Sequence, residues 1–172
     1  TWTVTLVDEQ NSESLLEGSG TAGPFFFAHC YPYTFNHLQE YLAGVEADPQ
    51  RSAVTHRTVL CPTVAGNRCE LLVVTNHAKA KLTAIQPSGK HSLREALVVS
   101  ARVHPGETNA SWIMEGFINF ITGPSSEAER LRDKYVIFIV PMLNPDGVIC
   151  GNYRCSLAGI DLNRQWVDCS RD

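Results

Sequence analysis

Two short segments of the chain are apolar almost throughout, at 96–103 and at 135–140. Runs of this length are typical of strands that are covered on both faces, as in parallel or mixed sheets. The segment between them, from Thr108 to Thr122, predicts a helix. Its apolar residues recur at helical spacing, namely Ile113, Phe117, Phe120 and Ile121. The pattern therefore predicts a β-α-β unit in the second half of the chain.

The first half of the chain predicts two antiparallel pairs of strands. The four strands are Trp2–Val7, Phe25–Cys30, His56–Leu60 and Cys69–Thr75. A polar loop at Asp8–Gly23 joins the first pair, and a hairpin turn at Ala65–Arg68 joins the second. The first pair is too small to be stable alone, so it resembles the end of a β domain.

Helices and loops complete the prediction. A helix is expected from Phe35 to Leu42, with Thr34 as its N-cap and Gly44 as its end. The segments Asp48–Ser52 and Ala78–Leu93 are expected to be loops. Ser126 and Glu129 have the spacing of a capping box for a short helix that ends at Asp133. The predicted class is α/β: a mixed sheet with flanking helices, preceded by the last strands of a small antiparallel β domain.

A histidine and a glutamate follow the first apolar strand directly, in the sequence His-Pro-Gly-Glu at 104–107. Strand, turn and helix in this order place His104 and Glu107 at the carboxyl edge of a sheet, where open α/β sheets bind ligands. A neutral imidazole and a carboxylate are ligands that suit zinc. The same residues are also compatible with a loop histidine and a glutamate stabilised by the helix dipole.

A second group of polar residues follows the strand at 135–140. The sequence Asn-Pro-Asp-Gly at 144–147 predicts a turn, and Arg154, Asn163 and Arg164 come after it. A guanidinium can hold a carboxylate with two hydrogen bonds, and a side-chain amide can add another. These residues therefore form a candidate anion site beside the zinc candidate, although an exposed arginine is often only solvated surface.

Composition and charge narrow the possible partners. The chain has 172 residues and a net charge of −4, which argues against nucleic acid or an anionic membrane as the main partner. No apolar run approaches the length of a membrane span. The six cysteines have no metal-binding spacing, and Cys30 and Cys69 lie in apolar runs, which favours free thiols and a reducing compartment over disulfides.

Three motifs together resemble the zinc metallocarboxypeptidases: His-Pro-Gly-Glu at 104–107, Asn-Pro-Asp-Gly at 144–147 and Asp-Leu-Asn-Arg at 161–164. Segments 26–33, 65–70 and 151–155 are similar to the cytosolic carboxypeptidase branch of that family. The resemblance implies that residues 1–30 are the last strands of a β-sandwich-like domain. It also implies that residues 31–172 are the first half of the peptidase domain.

The resemblance also implies a role for each candidate residue. His104 and Glu107 match two ligands of one zinc ion, Asn163 and Arg164 match the pair that binds the terminal carboxylate of the substrate, and Arg154 matches the arginine that stabilises the oxyanion. In the family a third ligand, a histidine, and a general-base glutamate come later in the sequence. We expect both beyond residue 172, so the 172 residues alone are expected to be inactive.

The resemblance to the cytosolic branch implies removal of C-terminal or side-chain glutamates from polyglutamylated proteins, tubulin above all. It implies a cytoplasmic location, with the cytoskeleton or cilium as a site of association. Two alternatives remain open from the sequence: an aspartoacylase-like zinc deacylase, which shares the His-x-x-Glu pattern, and an inactive fragment that binds microtubules. The sequence at 161–164 and the preceding strands favour the peptidase.

Overall fold

The computed structural model describes residues 7–8, 11–14, 28–78 and 94–166. The first two strands, β1 (Val7–Asp8) and β2 (Asn11–Ser14), form a small antiparallel pair. The elements that follow, in chain order, are α1 (Phe35–Ala47), α2 (Pro49–Ser52), β3 (Thr55–Pro62), β4 (Arg68–Val74), β5 (Glu95–Ser100), α3 (Thr108–Thr122), α4 (Ser126–Lys134), β6 (Tyr135–Val140), α5 (Pro145–Cys150) and a 3-10 helix (Leu162–Arg164).

Four strands form one mixed sheet in the order β3-β4-β6-β5. The hairpin β3–β4 is antiparallel, and β6 runs antiparallel to β4. Strands β5 and β6 are parallel, in continuous register from Glu95↔Tyr135 to Ser100↔Val140. Parallel neighbours need a crossover connection, which α3 and α4 provide. The two loops that follow β5 and β6 therefore leave the sheet at the same edge.

The core lies between the sheet and the helices that pack on it. Helix α1 buries one face through Leu38, Leu42 and Val45, as its apolar spacing predicts. The sheet contributes buried aliphatic side chains from β4 and β6, and α3 contributes a further row. The largest of these side chains are Leu72, Ile118, Ile121, Ile137 and Ile139. The predicted mixed α/β sheet with flanking helices is thus the architecture of the described residues.

Several element boundaries differ from those predicted. Thr34 caps α1 as expected, and its Oγ1 accepts a hydrogen bond from His37 N at 3.1 Å. The helix continues past Gly44 to Ala47, because Asp48 N closes the last turn on Gly44 O at 3.2 Å. Asp48 then caps α2, where a loop was expected.

One predicted cap and one predicted turn also differ from the structure. The N-cap of α4 is Ser125, whose side chain accepts from Ala128 N, and not Ser126. The expected turn at 144–147 is the start of helix α5, with Pro145 at a position that needs no N–H donor. Asn144 Oδ1 caps this helix by accepting from Gly147 N at 3.0 Å. A turn sequence and a helix start use the same residues, so the motif alone did not separate them.

Several strand predictions differ from the structure. Residues 11–14 form β2 within the segment expected to be a loop, and Ala28–Cys30 are not in a strand. Strand β5 ends at Ser100, before the expected Val103. Within the described sheet β5 also lies at an edge, so Val98 is 70% exposed, where burial on both faces was expected. Residues 1–6, 25–27 and 79–93 of the predicted strands and loop lie outside the described residues.

Candidate zinc and anion site

The site begins where β5 ends, at a segment tied to the end of β6. Ala101 N donates to Val140 O at 3.0 Å, and Leu143 N donates to Ala101 O at 2.9 Å. The next residue, Arg102, has a φ of 57°, which is left-handed and uncommon for a residue with a side chain. The backbone therefore turns sharply at Arg102, immediately before His104.

The buried Arg102 side chain stabilises this turn. Its Nε donates to Pro105 O at 2.9 Å, and its Nη1 donates to Ser111 Oγ on α3 at 2.8 Å. The guanidinium is 3% exposed, and this burial lowers its pKa from the ordinary value. The turn that carries His104 is thus fixed from inside by a buried cation hydrogen-bonded to neutral oxygens.

His104 and Glu107 meet across this turn. Nδ1 of His104 lies 2.9 Å from Oε1 of Glu107. Only 9% of the His104 side chain is exposed, whereas 51% of the Glu107 side chain is exposed. Glu107 is also the N-cap residue of α3, so the helix fixes its backbone. The turn brings the two predicted zinc ligands to one point at the sheet edge.

Asp161 occupies the other side of the imidazole. Its Oδ1 lies 3.1 Å from His104 Nε2, and its Oδ2 accepts from Arg154 Nε at 2.7 Å. Its Oδ1 also accepts from Asn163 N at 3.0 Å. Removal from water would raise the pKa of Asp161, but the hydrogen bonds from Arg154, His104 and Asn163 N together lower it below the ordinary value. Asp161 is therefore a carboxylate that links the two halves of the site.

Two glycines allow the second loop to approach the His104 turn. Gly106 N donates to Tyr153 O at 2.7 Å, and a Cβ at Gly106 would lie 2.8 Å from that same oxygen. A Cβ at Gly147 would collide with Pro105 Cγ. A side chain at either position would push the segment that carries Arg154 away from His104. The glycines of the two motifs are thus needed for close backbone packing.

The predicted carboxylate-binding pair lies on the 3-10 helix that Asp161 caps. Asn163 Oδ1 accepts from Trp166 Nε1 at 2.7 Å, and Arg164 Nη1 donates to Asn163 O at 3.2 Å. Within the described residues, Asp161 joins His104 to Arg154, and Glu107 contacts the other nitrogen of His104. Arg164 is exposed at the surface.

The donor atoms at the turn fit a zinc ion. Both ring nitrogens of His104 face a carboxylate, and a neutral imidazole carries only one proton, so one nitrogen presents its lone pair to a carboxylate oxygen. With the proton on Nε2, towards Asp161, that nitrogen is Nδ1, which faces Glu107. A cation bound by Nδ1 and Oε1 satisfies both acceptors. Ligand atoms about 2.0–2.2 Å from a tetrahedral zinc are themselves roughly 3.3–3.6 Å apart, so the observed contact of 2.9 Å would widen by about half an ångström around a bound ion. Within residues 28–78 and 94–166, no cluster of three His, Cys, Asp or Glu that could hold a metal is present.

Asp161 and Arg102 were not among the predicted site residues. Asp161 lies in the Asp-Leu-Asn-Arg motif, and a carboxylate beside a zinc-binding histidine is the usual means of fixing its tautomer. The motif therefore contained an indication that Asp161 belongs to the site. Arg102 lies two residues before His104 at the end of an apolar run, and no sequence pattern indicates its buried, left-handed conformation.

Comparison with known proteins identifies the family. The family model for zinc carboxypeptidases matches residues 39–171. Cytosolic carboxypeptidase 3 of Mus musculus is 54% identical over 142 residues, which cover 83% of this chain and 13% of that protein. Cytosolic carboxypeptidase 2 of Mus musculus is 50% identical over 147 residues, which cover 86% of this chain and 16% of that protein. The chain spans less than a fifth of the length of these relatives.

Solved structures agree with this relationship. A metallo-carboxypeptidase from Burkholderia cenocepacia is 30% identical with a TM-score of 0.65, over 81% of this chain and 34% of that chain. Carboxypeptidase A from Helicoverpa armigera has a TM-score of 0.58 at 15% identity, over 81% of this chain and 36% of that chain, and this likeness concerns the fold alone. The predicted fold class and the predicted resemblance are confirmed. The chain belongs to the zinc carboxypeptidase family and is similar to its cytosolic carboxypeptidases.

Proposed function

We propose that this chain supplies zinc-binding and substrate-binding residues of a metallocarboxypeptidase that removes glutamates from polyglutamylated protein tails. The glutamates would be C-terminal or side-chain-linked, and tubulin tails are the first candidate substrate. The observation that supports this most directly is the arrangement around His104. Its Nδ1 faces Glu107, and its Nε2 faces Asp161.

The roles of the residues follow from their positions. His104 and Glu107 would hold the metal, and Asp161 would keep the imidazole proton on Nε2, so that Nδ1 remains a ligand. Zinc, when bound, supplies an activated water and polarises the scissile carbonyl. The family implies Zn²⁺ as the cofactor, and this donor pair is consistent with it.

Arg154 is the residue proposed to stabilise the oxyanion. Its Nε is held by Asp161, which leaves its Nη atoms as the donors available to a substrate oxygen. A fixed guanidinium in this position stabilises negative charge that develops only in the transition state. Because 47% of the Arg154 side chain is exposed, a substrate can reach it.

Asn163 and Arg164 are the residues proposed to bind the terminal carboxylate. Arg164 is exposed on the 3-10 helix and has a fork of donors that matches a carboxylate in two-pronged geometry. With Arg154 it places two guanidiniums on one short segment of a chain whose net charge is −4. Because Arg154 is paired with Asp161, the exposed Arg164 is the group that favours an acidic protein tail as the partner.

We propose a cytosolic location, which the name of the relatives supports. Association with the cytoskeleton or cilium is part of the same proposal, because the proposed tubulin substrate occurs there. No helix of the described residues is long and apolar enough to cross a membrane. The proposed partners are therefore protein tails, and neither nucleic acid nor membrane lipid is proposed.

The test compares two peptides that differ only at the chain end. The protein, expressed from its complete coding sequence and loaded with zinc, is mixed with a glutamate-tailed peptide or with the same peptide amidated at its C-terminal carboxylate. We expect release of glutamate from the free acid, strong discrimination against the amide, and loss of activity with a chelator. The Arg164→Ala variant should lose most of that discrimination. Equal cleavage of the two peptides by the wild type would overturn the exopeptidase proposal.

A further inference from the structure

A pair of cysteines lies outside the candidate site, on the hairpin β3–β4. Cys61 and Cys69 are directly opposite one another in the register of the two strands. Directly opposite residues of an antiparallel pair have Cα atoms about 4.5–5.5 Å apart and side chains on the same face. This separation lies within the window for a disulfide, about 4.4–6.8 Å between Cα atoms. The register and the hydrogen bond between the two thiols therefore place Cys61 and Cys69 within reach of a cross-strand disulfide.

The pairing depends on an irregularity in β3. Val59 is opposite Glu70, and Cys61 is opposite Cys69, so Leu60 is an extra residue in β3. Without this bulge Cys69 would be opposite Leu60. A bulge redirects the side chain that follows it. Here it places the Cys61 thiol beside that of Cys69.

The two thiols differ in access. Cys61 is exposed, whereas Cys69 is 4% exposed and its Sγ lies 3.7 Å from Met142 O. Burial, together with smaller contributions from the hydrogen-bonded Cys61 thiol and from Glu70, raises the pKa of Cys69 to about 11. A buried thiol of this kind reacts poorly with reagents in solution. Cys61 therefore meets a solution reagent first, and Cys69 is within reach of the product.

The surroundings permit a small reagent to enter. Both cysteines line a groove of about 390 Å³. Its other walls come from the hairpin turn, the start of α5 and the segment before the 3-10 helix, including Thr63, Leu143 and Leu162. The five described cysteines are free thiols. The pair is therefore reduced in this structure and accessible from one side.

We propose that Cys61 and Cys69 form a reversible dithiol modification site that small-molecule disulfides convert to a cross-strand disulfide. The Cys61 thiolate attacks one sulfur of the reagent, a mixed disulfide forms on Cys61, and one reagent thiolate leaves. The Cys69 thiolate then attacks the Cys61 sulfur, the second reagent thiolate leaves, and the Cys61–Cys69 bond forms. The protein loses two protons and two electrons, and the reagent is reduced to two thiols.

The test uses the protein expressed from its complete coding sequence and oxidised glutathione as the reagent. Trypsin cleaves after Arg57, Arg68 and Lys79, which places the two cysteines in separate peptides, 58–68 and 69–79. After oxidation and digestion without reductant, we expect these two peptides to be linked, and reduced glutathione should release them. The Cys150→Ser variant, which removes another exposed thiol, should form the same link.

Two variants separate the steps. Cys69→Ser should stop at the first step, so that glutathione remains attached to Cys61. Cys61→Ser, at an exposed position that tolerates the change, should show neither the link nor an adduct on Cys69. A glutathione adduct that persists on Cys61 in the wild type would overturn the proposal. A disulfide from Cys61 to a cysteine other than Cys69 would also overturn it.

Discussion

Asp161 and His104 are joined by a contact of 3.1 Å between Oδ1 and Nε2, and the same carboxylate accepts from Arg154 at 2.7 Å. One side chain therefore orients the proposed zinc-binding imidazole and the proposed oxyanion arginine at once. Because the two partners come from different loops, the carboxylate also couples the end of β5 to the segment after α5. The Asp161 carboxylate is proposed to position His104 and Arg154 and not to bind the metal, because it faces Nε2 and not Nδ1.

Replacement of Asp161 by Asn tests this positioning role. The amide keeps the size of the side chain but removes the charge that holds the proton on Nε2. Loss of such an outer-shell partner typically weakens metal binding about 10- to 100-fold. We expect a shift of this size in zinc affinity, measured by competition with a chelator dye. Glu127→Gln, an exposed change of charge on α4, is the matched control and should leave zinc affinity unchanged. Unchanged affinity in Asp161→Asn would show that the contact does not support the metal.

Replacement of Arg154 by Ala tests the oxyanion role. Because the charge that Arg154 is proposed to stabilise develops in the transition state, kcat should fall more than KM rises. Removal of one such donor typically lowers kcat about 100- to 1000-fold. Steady-state kinetics on the glutamate-tailed peptide measures both constants, with Arg130→Ala on exposed α4 as the control. A large rise in KM at constant kcat would instead assign Arg154 to ground-state binding.

Asp146 provides a prediction about stability and pH. Its carboxylate accepts from Thr63 Oγ1 at 2.6 Å, Ala65 N at 3.0 Å and Asn67 Nδ2 at 2.8 Å, which joins the β3–β4 turn to α5. Burial alone would raise the pKa of Asp146, but these hydrogen bonds lower it below the ordinary value. We expect Asp146→Ala to lower the free energy of unfolding by about 1–3 kcal/mol, because it leaves partly buried donors without an acceptor.

The sign of the pH dependence follows from the lowered pKa. The folded state binds the Asp146 proton less tightly than the unfolded state, so the charged form stabilises the fold above the unfolded pKa. That contribution should disappear as the pH falls from about 5 through the ordinary carboxyl pKa of about 3.9 to the lower folded value. Urea unfolding between pH 7 and pH 3 measures it. The difference in unfolding free energy between wild type and Asp146→Ala should shrink in acid, and a constant difference would contradict the assignment.

The sequence predicted the class of the fold better than the exposure of its parts. Helix α3 and strand β6 begin and end where their apolar patterns predicted. The buried face of α3 is different, however: Met114 and Ile118 are buried, whereas Ile113 is 70% exposed. This helix has apolar residues on two adjacent faces, and periodicity does not say which face meets the sheet. The exposure of strand β5 was unpredictable for a similar reason. Its apolar composition does not show whether a strand or helix covers each of its faces and edges.

The sequence predicted the part of the site that lies within one local segment, but not the contacts between distant segments. The strand-turn-helix context located His104 and Glu107 at the sheet edge, and their contact at 2.9 Å agrees with that placement. The motif at 161–164 supplied a carboxylate of the right type, but its spacing of 57 residues from His104 did not show that Asp161 would reach Nε2. Long-range contacts of this kind depend on how two loops pack. Here the packing depends on Gly106, whose lack of a side chain allows the Tyr153 backbone to approach.

The most direct test of the proposed metal site is a crystal structure of the zinc-loaded protein with an anomalous difference map at the zinc absorption edge. We expect one peak about 2.0–2.1 Å from His104 Nδ1 and about 2.0–2.2 Å from a Glu107 carboxylate oxygen. The Asp161 carboxylate should remain on Nε2. A peak on the Nε2 side of the imidazole, or at a position that contacts neither His104 nor Glu107, would contradict the proposed site.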